Sequence, residues 1–169
     1  VPNYVFDPRT RPWSQEALGR TDAISTDPYL FYTTREVGAT VAKASADRRA
    51  VVGIDVTLGA LSARLKERRP TPSAQLFVFN DKGDVLADTD TVYRLQVDDL
   101  GTPSLPKISE LGRPLLMNIA SQGLPDLDRS RAYEVGGRTW QGVLTSWTVD
   151  GSPYYIAIAA PQQELLADA

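Results

Sequence analysis

Neither cysteine nor histidine occurs anywhere in the 169 residues. Without cysteine there is no disulfide framework and no thiolate nucleophile; without histidine the commonest general base and the commonest metal ligand are missing. The absence of cysteine suits cytoplasm and periplasm alike. No apolar run reaches the roughly 18 residues that a membrane helix needs, and no signal peptide shows. An excess of positive charge is also lacking: Lys and Arg number 18 against 21 Asp and Glu, for a net charge of −3 and a pI near 5.0. Nucleic acid is therefore not an expected partner. The one basic cluster, Lys66-Glu67-Arg68-Arg69, sits at an expected helix end, where the macrodipole favours cations.

These absences narrow the chemistry. An enzyme built from this chain would need an Asp/Glu pair, a Ser–Lys pair or a metal. No GxSxG elbow and no phosphate loop is present, and Gly136-Gly137 and Asp150-Gly151 read as turns. The chain is thus expected not to be an enzyme. The acidic cluster Asn80, Asp81, Asp84, Asp88 and Asp90 lacks the spacing and terminal glutamate of an EF-hand, so neither metal nor cofactor is expected. What is present is the material of a globular protein: 42% hydrophobic and 23% charged residues, at a length that fits one ordinary domain or two small ones. A chain that opens on Val1 without a methionine is expected to be a fragment.

The stretch Phe6-Asp7-Pro8-Arg9-Thr10-Arg11-Pro12-Trp13 carries the most specific chemistry. Pro8 and Pro12 fix their own φ and push Asp7 and Arg11 out of the helical region, which predicts a stiff, extended loop. That loop presents two guanidiniums, each a planar fork matched to a carboxylate, and an indole with an apolar face and one donor. Such a loop suits the grip of a small anion. The alternative is that Arg9 pairs with Asp7 and Trp13 plugs the core.

Downstream, Ser14 to Gly19 predicts a short helix capped by Ser14, and Thr21 to Pro28 a turn. Tyr29–Arg35, Val37–Lys43 and Ala50–Thr57 read as strands from their aromatic and β-branched content. In the third of these, Val52, Ile54 and Val56 share one face while Val51, Gly53 and Asp55 share the other. A carboxylate in the middle of an apolar strand is costly unless paired or wet, and Gly53 beside it leaves room for something to approach. Asp55 is accordingly a candidate pocket residue; the alternative is that it bonds a neighbouring backbone group or caps the next helix. Leu58–Arg69 predicts a helix with Thr57 as N-cap and a single stripe of Leu58, Leu61 and Leu65. Pro70-Thr71-Pro72-Ser73 ends it and marks a boundary.

After the boundary, residues 76–79 and 84–87 form an expected hairpin around a Gly-containing loop. Thr91 to Ser104 is irregular. A helix is expected over Ile108–Ser121, burying Leu111, Leu115, Leu116 and Ile119, with Gly123-Leu124-Pro125 as its stop. The remainder predicts an antiparallel meander: Arg131–Val135, Arg138–Val149 and Tyr154–Ala160, with Gly-Gly and Asp-Gly turns, followed by a short helix from Pro161.

FDPRTRPW, then Thr26-Asp27-Pro28-Tyr29, then Val51-Val52-Gly53-Ile54-Asp55-Val56, together resemble the double Cache sensor family, whose loop usually reads as a tyrosine followed by DPRxRPWY. The family comprises extracytoplasmic ligand-binding regions of bacterial transmembrane receptors: chemoreceptors, histidine kinases and nucleotide cyclases. The resemblance implies an α+β fold of two tandem PAS-like modules with antiparallel sheets. Residues 1–70 would form the C-terminal part of a membrane-distal module, lacking its N-terminal helix and strands, and residues 71–169 a membrane-proximal module. It further implies a periplasmic sensor, membrane-anchored in the full-length protein, that takes a small amino acid, carboxylate or amine, with a homodimer as a further expectation. In amino-acid-binding members the residues matching Arg11 and Trp13 hold the ligand carboxylate, and those matching Tyr29 and Asp55 its ammonium. Phe6 and Ser14 stand where the family has tyrosines; both changes remove a phenolic hydroxyl, and Ser14 enlarges the site. The proximal module is expected to be mainly structural. The competing expectation is a module that binds nothing and mediates dimerisation or contact with a partner protein.

Overall fold

The computed structural model describes residues 7–90, 96–97, 103–122 and 126–167. It is an α+β structure with two principal antiparallel sheets. The chain enters through a 3-10 turn at Pro8–Thr10, followed by helix α1 (Pro12–Gly19). The expected extended loop is thus only partly extended. Asp7 and Arg11 keep the β conformation that a following proline imposes, but each of those residues acts as an N-cap and each proline opens a helical turn, the position where its missing N–H costs nothing. Arg11, not Ser14, caps α1.

The first sheet is built on β3 (Val37–Ala44). On one side it pairs with β1 (Ile24–Ser25) and β2 (Tyr29–Leu30), and on the other with β4 (Val51–Thr57). The strand expected over Tyr29–Arg35 stops at Leu30, because Phe31 to Arg35 closes a turn (the Arg35 N–H bonds the Phe31 carbonyl at 3.0 Å) and Arg35 takes φ +58°. A residue in the left-handed region cannot continue a ladder. In the register Thr40↔Asp55 and Ala42↔Gly53, the side chains of Gly38, Thr40, Ala42, Gly53 and Asp55 share one face. Helix α1 covers part of it: Ala17, Ile24 and Ala42 are buried together, with Trp13 and Val51 packed against them. The opposite face is apolar and open. Val52 is 67% exposed and Ile54 61%, with Val56 and Val41 beside them also exposed. Among the described residues, β4 has no partner on its outer edge.

Helix α2 (Leu58–Glu67) follows β4 directly, and the Thr57 side chain accepts from the Ala60 N–H at 3.1 Å as its cap. Its leucine stripe runs into the second half of the molecule, where Leu58, Leu61 and Leu65 pack with Leu76, Val78, Leu86 and Ala160, and it also meets Val37 of β3.

That second half is a five-stranded sheet made of β5 (Gln75–Asn80), β6 (Val85–Asp88), β9 (Arg131–Val135), β10 (Arg138–Val149) and β11 (Ser152–Pro161), in the order β6-β5-β11-β10-β9. A two-residue ladder of β7 (Gln96–Val97) and β8 (Pro103–Ser104) lies outside it; the rest of the stretch read as irregular falls outside the described residues, as does the Gly123-Leu124-Pro125 stop. Helix α3 (Pro114–Gln122) starts later than its apolar pattern suggests, since residues 108–111 form a turn and bend and Pro114 supplies the first helical position. It packs Leu115, Leu116 and Ile119 on the face carrying Phe77, Phe79, Leu144 and Ala157. The sheet is therefore sandwiched between α2 and α3. Trp140 lies on the α3 side, whereas Trp147 stacks on Tyr154 on the α2 side, as the odd spacing between the two indoles requires. A last helix, α4 (Gln162–Ala167), closes the described chain, its Glu164 accepting from the Ser73 N–H at 3.0 Å.

Candidate functional site

Five of the six candidate residues lie among the described residues; Phe6 falls outside them. Asp7 is fully engaged with its neighbour. It accepts from the Arg9 backbone N–H at 3.0 Å and from the Arg9 guanidinium at 2.9 and 2.8 Å. Chiefly through that side-chain bond, the Asp7 carboxyl is held below its ordinary pKa. For Arg9 the bland alternative holds: its guanidinium is spent on Asp7. Arg11 differs. It is half-buried and sits at the mouth of α1, and its guanidinium makes no hydrogen bond or ion pair among the described residues. Pro12 behind it removes backbone freedom without removing a needed donor.

Trp13 is the second residue of α1 and lies against β4 at Gly53. A Cβ placed on Gly53 would stand 3.0 Å from the indole ring, so glycine there is what admits the ring. Trp13 thus does help to fill a small core, as its alternative proposed, and it also walls the space above the face that carries Asp55. Ser14 is 4% exposed, beneath the helix, so its hydroxyl faces the packing and not open solvent.

Tyr29 and Asp55, which come from strands on opposite sides of β3, are joined by a residue that sequence reasoning missed. The Thr40 hydroxyl, wholly buried, donates to Asp55 Oδ1 at 2.6 Å and lies 2.6 Å from the Tyr29 hydroxyl. Since its single proton goes to the carboxylate, Thr40 accepts from Tyr29, and the donor direction runs Tyr29 to Thr40 to Asp55. This leaves the lone pairs of the Tyr29 oxygen and Oδ2 of Asp55 as acceptors. A group that donates several hydrogens and carries positive charge, such as an ammonium, fits that set. Thr40 is itself fixed from behind, its N–H bonding the Thr26 hydroxyl at 3.0 Å. The sequence carried no signal for it: β3 also holds Lys43, and only the register sets Thr40 opposite Asp55.

Thr40→Val keeps the shape and removes the hydroxyl. It is expected to lower stability by about 1–2 kcal/mol, since it strands the Tyr29 donor and one carboxylate acceptor. Thermal unfolding reads that loss, and an unchanged midpoint would contradict the relay.

Helix α1 also reaches away from the site. At its C-terminal end Arg20 pairs with Asp150 in the β10–β11 turn at 3.5 Å, tying the site helix to the five-stranded sheet. Among the described residues there is no cluster of metal-ligating side chains.

No family model matches the chain. Over 94–97% of its length it superposes on the ligand-binding domains of two chemoreceptors. One is CtaA of Pseudomonas fluorescens in complex with L-isoleucine (TM-score 0.57, 21% identity, 62% of that chain covered); the other is Tlp3 of Campylobacter jejuni with isoleucine bound (0.55, 22%, 56%). The chain has the Cache-type sensor fold. Among curated proteins, this sensor-fold chain is 28% identical over 169 residues to adenylate cyclase 1 of Rhizobium meliloti, covering 97% of its own length and 25% of the cyclase. It is 29% identical over 106 residues to the methyl-accepting chemotaxis protein McpG of Pseudomonas putida, covering 62% of itself and 17% of McpG. The chain thus spans a quarter or less of these signalling proteins and somewhat over half of the solved sensor domains.

Proposed function

We propose that the chain is the extracytoplasmic sensor region of a bacterial transmembrane signalling protein and binds a small polar molecule in its first module. The molecule would be an amino acid, a carboxylate or an amine. The observation that carries this is the Tyr29–Thr40–Asp55 relay, which ends in open acceptors on the face walled by Trp13, with the unpaired Arg11 guanidinium at the start of the same helix. Separated opposite charges on a partly desolvated surface favour a zwitterion over a plain ion. The missing tyrosine hydroxyls at Phe6 and Ser14 leave plain carboxylates and amines as further ligands. A thermal-shift screen of the chain against the three compound classes tests this: a ligand at a hundred times its Kd stabilises by about 2.7 kcal/mol. A flat screen would leave the competing reading, a dimerisation or partner-binding module, which the open apolar face of Val41, Val52, Ile54 and Val56 favours.

The proposal includes two tandem PAS-like modules divided near residue 70, the first short of its N-terminal helix and strands. The open edge of β4 and the exposed valines beside it support that part, because a bare edge and a bare apolar face both invite cover. In a longer piece of the protein, extended at its N-terminus, the amides of residues 51–57 are expected to exchange at least tenfold more slowly than in this chain. Equal exchange would contradict the missing strands. Signal output would follow the two physical links from the site to the second module, α2 directly behind Asp55 and the Arg20–Asp150 pair at the far end of α1.

A further inference from the structure

The second module contains a cavity of about 370 Å³ that the first-module site does not involve. It opens at the end of the five-stranded sheet, on the side covered by α3. Its floor is apolar: Phe79 and Tyr155 stack with ring centroids 5.3 Å apart, and Ile108 and Ile119 close the sides. The volume falls within the roughly 300–1,000 Å³ typical of small-molecule sites.

The wall is held by bonds that do not depend on a ligand. The Asn80 amide is spent across the β5–β6 turn, accepting from the Asp84 N–H at 2.9 Å and donating to its carboxylate at 3.1 Å. The strand-like segment opposite is stitched to the same turn, with the Ile108 N–H on the Gly83 carbonyl at 2.9 Å and the Val85 N–H on the Pro106 carbonyl at 2.8 Å. Lys107 locks the two together: its ammonium pairs with Asp84 at 2.5 Å and donates to the Lys82 carbonyl at 3.2 Å. Gly83, at φ +75°, makes the tight turn that brings them this close.

The donors left over point to one ligand class. Three charged side chains line the cavity, Asp81, Lys82 and Lys107; the Lys107 charge is balanced by Asp84, so the donors left to face a ligand are the remaining Lys107 N–H and the Lys82 ammonium. Lys107 retains a third donor hydrogen, and Lys82 is exposed without an ion-pair or hydrogen-bond partner for its ammonium among the described residues. The Ser109 hydroxyl lies on the same rim. We infer that this cavity is a second binding site, for a small monocarboxylate with an apolar or aromatic tail: the tail on Phe79, Tyr155 and the two isoleucines, the carboxylate at the lysine rim. A module expected to be mainly structural would then also sense.

Calorimetry on the full 169-residue chain with pentanoate and phenylacetate, and with pentylamine as the charge-reversed control, tests the site. At least one carboxylate is expected to bind, with affinity preserved within about twofold in Arg11→Ala, and pentylamine is expected not to compete with it. Lys82→Glu and Ser109→Trp, both at exposed positions, are expected to weaken it tenfold or more, the first by charge and the second by filling the mouth. Absence of binding by both carboxylates overturns the inference, as does binding that Lys82→Glu leaves unchanged. Binding lost in Arg11→Ala and intact in both other variants overturns it too, while supporting the first-module site.

Discussion

Arg11→Ala is expected to abolish binding of a carboxylate-bearing ligand in the first module and to leave the fold intact. The two halves of that expectation have separate causes. The fold survives because the guanidinium makes no bond or ion pair among the described residues and the helix cap at Arg11 uses no side-chain bond. Binding fails because an interfacial charge-assisted pair, once lost, costs roughly 2–5 kcal/mol, a weakening of about thirtyfold or more. Arg9→Ala is the contrast. Its guanidinium is already committed to Asp7 on the exposed side of the turn, so its loss is expected to leave affinity unchanged. Calorimetry with the strongest compound from the thermal-shift screen separates the two variants. Equal affinities in Arg9→Ala and Arg11→Ala would remove Arg11 from the site.

Gly38→Val is expected to have the largest effect on stability of any substitution in the four-stranded sheet. A Cβ at this position would stand 2.4 Å from the Val56 carbonyl oxygen and 2.6 Å from the Phe31 ring. The oxygen cannot withdraw without opening the ladder in which Gly38 faces Thr57. Phe31 cannot easily move either, since its N–H bonds the Glu36 carbonyl at 2.8 Å and its ring meets the Tyr29 ring edge-on at 5.0 Å. Overpacking of this kind costs typically about 1–3 kcal/mol and occasionally more, and with backbone on one side the upper end is expected. For a chain of this size that lowers the unfolding midpoint by roughly 6–12 °C. An accommodating shift pushes Phe31 against Tyr29 and Tyr29 off Thr40, so the surviving folded protein is expected to bind more weakly as well. Scanning calorimetry reads the first effect. A midpoint within two degrees or so of the parent would contradict the close approach of Phe31 and β4 to Gly38.

The second half of the chain was legible because each of its signals is local. Asp150-Gly151 and Gly136-Gly137 take positive φ at both turn positions, and the alternating residues on either side then fix the faces. The α2 cap was equally legible, since a threonine ahead of a leucine stripe has few other roles. Helix starts were misplaced wherever a proline intervened: apolar spacing continues through residues 108–111, but Pro114 is the first position that adopts the helix. The short strands β1 and β2 carry too few residues for any period to show. The site was legible in its ends and not in its middle. Asp55 and Tyr29 stand out, one as a carboxylate among valines and the other within a motif. Nothing along β3 distinguishes Thr40 from other strand threonines until the register sets it between the two. The same limit applies to the cavity beside the five-stranded sheet, whose wall is assembled from residues 79–83, 107–109, 119 and 155.

The indole N–H resonances test the central claim most directly. The chain has three tryptophans, and they divide cleanly: Trp13 packs on the four-stranded sheet beside the candidate site, while Trp140 and Trp147 lie on opposite faces of the five-stranded sheet. A proton–nitrogen correlation spectrum therefore carries three indole signals, assigned by single Trp→Phe variants. Titration with the strongest compound from the screen, an amino acid if one is found, is expected to shift the Trp13 signal progressively to saturation and to leave the other two in place. A saturable shift of Trp140 or Trp147 with Trp13 unmoved would contradict the first-module site.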